Sequence, residues 1–95
     1  MSNIRKQILD RAELCVNGQR EQDYGTPEQN FQTIADFWSS YKGIIFSPVD
    51  VAMMMALLKI ARIKSGGGTG DSFVDLAGYA ACGGELANMS EGETV

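Results

Sequence analysis

Apolar residues recur at helical spacing along the chain and divide it into four segments. The first, residues 3–17, places Ile4, Ile8, Ala12 and Leu14 on one apolar face. The second runs from residue 27 to about residue 41, and the third covers residues 49–64. The fourth begins at a capping Asp71 and ends near residue 87 or 88. No segment shows β-alternation, so the pattern predicts an all-α fold.

The segment ends carry helix-boundary signals. Thr26 precedes a proline at the first helical position, and Gln29 completes a capping box. Ser47 repeats this arrangement before the third segment, and glycines at 18 and 43 end the first and second. We therefore expect a four-helix bundle-like single domain over residues 1–88 and a frayed tail over residues 89–95.

The third segment is apolar on every side between Val51 and Leu58. A helix of this kind must be covered all round. Three partner helices in a chain of 95 residues can barely cover it. We therefore expect part of this helix, or of the aromatic face of the second, to pack against another copy of the chain in a homo-oligomer.

Composition narrows the range of functions. The net charge of −4 disfavours binding to DNA, RNA or an anionic membrane, each of which attracts basic surfaces. There is no histidine, so any metal would need oxygen ligands. We expect Cys15 and Cys82 to be buried free thiols. The charged N-terminus and the lack of an apolar run of membrane length indicate a cytoplasmic protein.

Two cations and two acids flank the glycine-rich stretch between the third and fourth helices. Lys59 and Arg62 share one helix face, and Asp71 and Asp75 share another. A short connector makes these helices antiparallel neighbours, so the charges should converge. They form either a structural ion pair, Lys59 or Arg62 with Asp75, or a site for an anionic ligand such as a phosphate. The stretch lacks the Lys-Ser/Thr ending of a P-loop.

A second polar cluster, Arg20, Glu21, Asp23 and Tyr24, lies between the first two helices. It is either a solvated turn or a place where the tyrosine ring stacks on a base.

Three blocks of the sequence resemble a family of small phage and prophage proteins: REQDYGTPEQNF, LLKIARI and DSFVDLAGYA. More distantly, these blocks are similar to nucleotide modification associated domain 1 and to the MazG-like all-α nucleoside triphosphate pyrophosphohydrolases. The resemblance implies an oligomeric helical bundle that binds a nucleotide or cyclic nucleotide. In a phage setting it implies action in the host cytoplasm, where the protein could sequester a host signalling nucleotide as an anti-defence measure.

Carried over by position, the resemblance and the charge pattern give a set of ligand-binding residues and no catalytic residue. The set is Arg20, Asp23, Tyr24, Trp38, Lys59, Arg62, Asp71 and Asp75.

Two alternatives remain open. The first is a Mg²⁺-dependent pyrophosphohydrolase with Glu21, Asp23, Asp71 and Asp75 on the metal, although the chain departs from the E-x-x-E and E-x-x-D pairs of MazG-like enzymes. If the protein does not hydrolyse nucleotides, we expect no cofactor. The second alternative is an oligomeric interaction protein without a small ligand.

Overall fold

In a computed structural model, residues 3–18, 25–66 and 70–91 are described, and every regular element within them is an α-helix. Helix α1 spans Ile4–Asn17, α2 spans Pro27–Lys42, α3 spans Pro48–Lys64 and α4 spans Gly70–Glu91. Within these residues, the prediction of an all-helical fold with four helices is confirmed. None of these helices is long and apolar enough to cross a membrane.

Local chemistry sets the helix ends as expected. Thr26 and Gln29 form a capping box at the start of α2, and Ser47 and Asp50 form another at the start of α3. Gly43 ends α2 in the left-handed conformation with φ of 72°, and its N–H donates to the carbonyl of Ser39. These caps satisfy backbone groups that the helix ends would otherwise leave without partners.

Helix α4 is the centre of the fold, because α1, α2 and α3 all contact it. Two contacts fix the direction of α3: Gly83 lies against Ala52, and Asp75 lies against Lys59. Residue numbers rise on one helix as they fall on the other, so α3 and α4 are antiparallel.

Helix α1 runs the other way relative to α4. Arg11 pairs with Asp71, and Val16 is the side chain nearest to Gly78, where an added Cβ would lie 3.4 Å from it. The numbers rise together, so α1 and α4 are parallel. The helices thus place the C-terminal half of α1 and the first half of α4 side by side.

The core consists mainly of small side chains. Val51 is the only fully buried side chain of any size among the described residues. The central buried cluster consists of Phe31, Ala35, Val51, Ala52, Cys82 and Leu86. Ser39 braces its edge: the hydroxyl accepts from the backbone N–H of Phe46 at 2.8 Å and donates to the carbonyl of Ala35.

Three expectations need correction. Asp71 lies inside the first turn of α4, which starts at Gly70, and the helix continues to Glu91, beyond the expected end near residue 87 or 88. Cys15 is exposed, and only Cys82 is buried. Leu14 is 71% exposed. Both α1 errors have one cause: α1 rests on the core through Ile8, Ala12 and Val16, spaced four residues apart, and positions 14 and 15 fall outside that narrow stripe.

Two neighbouring glycines of α4 should respond in opposite ways to larger residues. An added Cβ at Gly84 meets nothing within 4 Å. Gly84→Ala should therefore raise the free energy of unfolding by about 1 kcal/mol through helix propensity. At Gly83 an added Cβ would lie 2.6 Å from the methyl of Met53 and 3.3 Å from Ala52. Gly83→Leu should lower that free energy by about 1–3 kcal/mol.

Urea unfolding followed by circular dichroism measures both changes. A Gly83 variant as stable as the Gly84 variant would contradict the close approach of α3 to α4 at Gly83.

Candidate functional site

Two acids of α4 each receive a cation from a different helix. The ammonium of Lys59 lies 2.9 Å from the Asp75 carboxylate, and the guanidinium of Arg11 pairs with Asp71. The first pair is one of the alternatives that the sequence offered. Asp71 and Asp75 are one helical turn apart, so the four charges form a line in which α4 joins α1 to α3.

The Lys59 pair is the more enclosed of the two. Lys59 lies on the face of α3 that turns inward with Val51, Ala52 and Ala56, and its side chain is only 13% exposed. The Asp75 side chain is 41% exposed, so the pair opens to solvent on the α4 side. Lys59 therefore extends its aliphatic stem along the core and delivers its charge at the rim.

The remaining predicted site residues are dispersed. Arg62 is exposed, and its guanidinium makes no ion pair within residues 3–18, 25–66 and 70–91. Trp38 is partly buried against the core and packs edge-on to Phe46, with ring centroids 6.0 Å apart. The polar cluster Arg20, Glu21, Asp23 and Tyr24 lies outside the described residues.

A hollow of about 80 Å³ lies between the end of α1, the start of α2 and the middle of α4. Phe31 and Tyr79 form part of its wall, with ring centroids 6.2 Å apart and planes inclined by 32°. Asn30 and Asp75 bring the polar side-chain groups. Because Asp75 also binds Lys59, the ion pair stands at the wall of this hollow.

A second hollow of about 320 Å³ adjoins the first and shares Val16, Pro27 and Cys82 with it. Its polar side chains come from Asn17, Thr26, Glu28 and Glu85. We call the two hollows together the Tyr79 groove. Lys59, Arg62, Asp71 and Trp38 do not line it, so among the predicted site residues that the structure describes only Asp75 does.

The metal alternative finds no cluster in the described part of the chain. No group of three or more acids and cysteines there could hold a metal ion. Two of the four expected ligands, Glu21 and Asp23, fall outside that part.

Away from the groove, Lys6 and Asp10 form a charged pair at the exposed start of α1. A hydrogen bond from Lys6 to Asp10, reinforced by the attraction of the two charges, raises the pKa of Lys6. This pair lies on the surface and contributes little to stability.

Sequence reasoning missed Arg11 and the groove residues of the described part of the chain other than Asp75. Arg11 lies 60 positions before Asp71, and no local spacing reports such a contact. In the sequence, Phe31 and Tyr79 resemble ordinary core residues. Each ring does pack against the core, but it also lines the hollow.

The chain resembles known phage proteins over most of its length. It is 54% identical to the Gene 55 protein of Mycobacterium phage L5 over 74 residues. This alignment covers 77% of the present chain and 47% of the Gene 55 protein. It is 46% identical to the Gene 55 protein of Mycobacterium phage D29 over 79 residues. This alignment covers 83% of the present chain and 52% of that Gene 55 protein. The chain thus spans about half the length of the curated relatives it matches. No solved structure matches it.

The profile of the family described as "Domain of unknown function (DUF6378)" matches residues 7–87. This match includes all of α2 and α3 and most of α1 and α4. The chain therefore belongs to the DUF6378 family, and its relatives include proteins of mycobacteriophages.

Proposed function

We propose that this protein binds a nucleotide or cyclic nucleotide in the Tyr79 groove. The observation that carries the proposal is the composition of the groove wall. Two aromatic rings, an amide and a carboxylate line one hollow, and a cation is held at its rim. Small-ligand sites commonly combine mostly apolar walls with a few polar groups that fix orientation.

Each part of a nucleotide has a matching feature in this arrangement. The apolar wall at Phe31 and Tyr79 suits the flat face of a base. The Asn30 amide and the Asp75 carboxylate can exchange hydrogen bonds with the edge of the base. The start of α2, a capped helix of 16 residues, lies at the larger hollow, and its dipole favours an anion there against the opposing charges of Glu28 and Glu85.

The broader proposal keeps the predicted biology. We propose further that this phage-type protein forms a MazG-like bundle and sequesters a host signalling nucleotide in the host cytoplasm as an anti-defence measure. Phosphate binding by Lys59 and Arg62, and ligand binding by Arg20, Asp23 and Tyr24, stay predictions, since the first two do not line the Tyr79 groove and the other three lie outside the described residues. We propose no DNA, RNA or membrane partner, since the net charge is −4.

The interaction-protein alternative is favoured by a separate observation. Many large apolar side chains are exposed, including Phe37 at 71%, Tyr41 at 87% and Ile45 at 93%. Exposed apolar patches commonly mark contact surfaces. A protein whose role is assembly alone would leave the Tyr79 groove without a ligand.

Two measurements separate these functions. The protein, purified from a host culture and denatured, should release its ligand for mass spectrometry if it sequesters one. Thermal unfolding with a panel of nucleoside triphosphates and cyclic dinucleotides should show stabilisation, about 2.7 kcal/mol at a hundredfold excess over Kd. Inorganic phosphate serves as the control for simple anion binding.

The outcomes divide the hypotheses. Stabilisation without turnover supports binding, and product formed with Mg²⁺ supports the hydrolase. No released ligand and no stabilisation across the panel would leave the interaction protein.

An acid placed in the groove should weaken binding of any phosphorylated ligand. Asn30→Asp adds a negative charge to the first hollow. Charge repulsion at close range should raise Kd for the nucleotide at least tenfold. The matched control is Gln7→Glu, since residues 7 and 30 both occupy the fourth position of a helix and Gln7 lies on the exposed surface of α1.

Isothermal titration with the best nucleotide of the panel measures both variants. Equal affinities for the two variants would place the ligand elsewhere.

The Lys59–Asp75 pair should also contribute to stability. Asp75→Asn keeps the shape of the side chain but leaves the enclosed Lys59 ammonium without its counter-ion. We expect the free energy of unfolding to fall by about 1–2 kcal/mol, less than for a fully buried pair because Asp75 is partly exposed. Asp71→Asn is the control, because Asp71 belongs to the exposed pair with Arg11 and its loss should cost less than 1 kcal/mol.

Urea unfolding measures the difference. An equal decrease in the free energy of unfolding for both variants would show that the enclosure of Lys59 does not strengthen its pair with Asp75.

A further inference from the structure

Helix α3 carries an apolar face that the described residues leave only partly covered. Its inner face, through Val51, Ala52 and Ala56, is buried against the other helices. The outer side exposes five large apolar residues, each between 41% and 62%: Met54, Leu57, Leu58, Ile60 and, at the border with α4, Met53, whose methyl lies beside Gly83. Together they expose on the order of 400 Å² of apolar surface, which reaches the size of the largest patch on a typical monomer.

The charges at the ends of this face are self-complementary. Asp50 and Lys64 are both exposed, and each lies seven residues from Leu57. Seven residues are close to two full turns, so all three lie nearly in line along the helix. The face is therefore an apolar strip centred on Leu57, with an acid at one end and a base at the other.

This pattern selects one mode of pairing. Two copies of α3 packed antiparallel about a two-fold axis at Leu57 bring Asp50 of each copy against Lys64 of the other. A parallel pair would oppose like charges at both ends. The antiparallel pair also sets Met53 opposite Ala61, a long side chain against a small one, and it is a closed isologous arrangement.

We propose that the occupant of this face is a second copy of the chain, packed antiparallel through α3 in a two-fold dimer. Asp50 can take part without losing its cap. One carboxylate oxygen accepts from the N–H of Ser47 at 2.9 Å, and a carboxylate has capacity for further donors. Lys64 makes no ion pair within the described residues. This inference does not rest on nucleotide binding.

The area limits the strength of the pair. A standard specific interface buries about 800 Å² on each partner. The apolar strip supplies roughly half of that, and the charged ends add to it. The dimer should therefore dissociate on dilution.

The decisive variant places a charge on the axis. Leu57→Asp sets two carboxylates against each other at the centre of the pair, and since Leu57 is 62% exposed the helix itself should survive. Light scattering should give twice the chain mass for the unmodified protein at high concentration and a fall toward the mass of one chain over a dilution series. The variant should stay at the mass of one chain, and its Kd for dimerisation should rise at least a hundredfold. Circular dichroism checks that its helical content is unchanged.

A matched control tests the other exposed apolar surface. Phe37→Asp puts the same charge on α2, where Phe37 is 71% exposed. This variant should dimerise like the unmodified protein. A monomeric unmodified protein at every concentration, or a dimer that resists Leu57→Asp and is lost in Phe37→Asp, overturns the proposal.

Cysteine pairs test the direction of packing in a Cys15→Ser background, since Cys15 is exposed. In an antiparallel pair, residue 57 meets its own copy and residue 53 meets residue 61. Leu57→Cys alone should give a covalent dimer with a thiol oxidant. Met53→Cys should require Ala61→Cys in addition. Efficient cross-linking of Met53→Cys alone would indicate parallel packing and contradict the proposal.

Discussion

Small side chains at the helix contacts control how this protein folds. Helix α4 meets α3 through Gly83 against Ala52, and it meets α1 through Gly78 against Val16. The buried set is rich in alanine, and Val51 is the largest side chain in the described residues that is fully enclosed. Helices that touch through such residues approach closely, so α4 can accept α3 and α1 at the same time. The close approach also brings Asp71 and Asp75 within reach of cations on both neighbours.

A core of small residues leaves large residues outside. An alanine removes little apolar surface from water, and apolar burial provides the main driving force for folding. Leucine and methionine on the outer face of α3, and aromatic residues on α2, remain partly in solvent. A second chain that covers the α3 face would supply burial that the single chain lacks. The composition of the core and the apolar strip thus have a common physical origin, and the proposed dimer would bury the surface that both leave exposed.

The sequence predicted whatever depends on neighbouring residues. Thr26 and Ser47 indicated the starts of α2 and α3 in the sequence, because a capping residue and its partner lie only three positions apart. Lys59 with Asp75 was foreseeable because a short connector forces α3 and α4 to lie side by side. Arg11 with Asp71 was not, since only the parallel packing of α1 on α4 joins them. The exposure of Cys15 and the aromatic wall of the Tyr79 groove depend on the same packing, which no periodicity in one helix can report.

The two proposals concern opposite faces of helix α3. Lys59 lies on the inner side, where its ammonium reaches the carboxylate that lines the Tyr79 groove. Leu57 lies on the outer side, about half a turn away around the helix axis. The groove is formed by α1, α2 and α4, so a second copy seated on the outer side of α3 leaves the groove open. The proposed dimer contact and the Lys59–Asp75 pair beside the proposed ligand groove therefore lie on opposite faces of α3. A substitution at Leu57 can remove the first without touching the second, which makes the two proposals independent in a single protein.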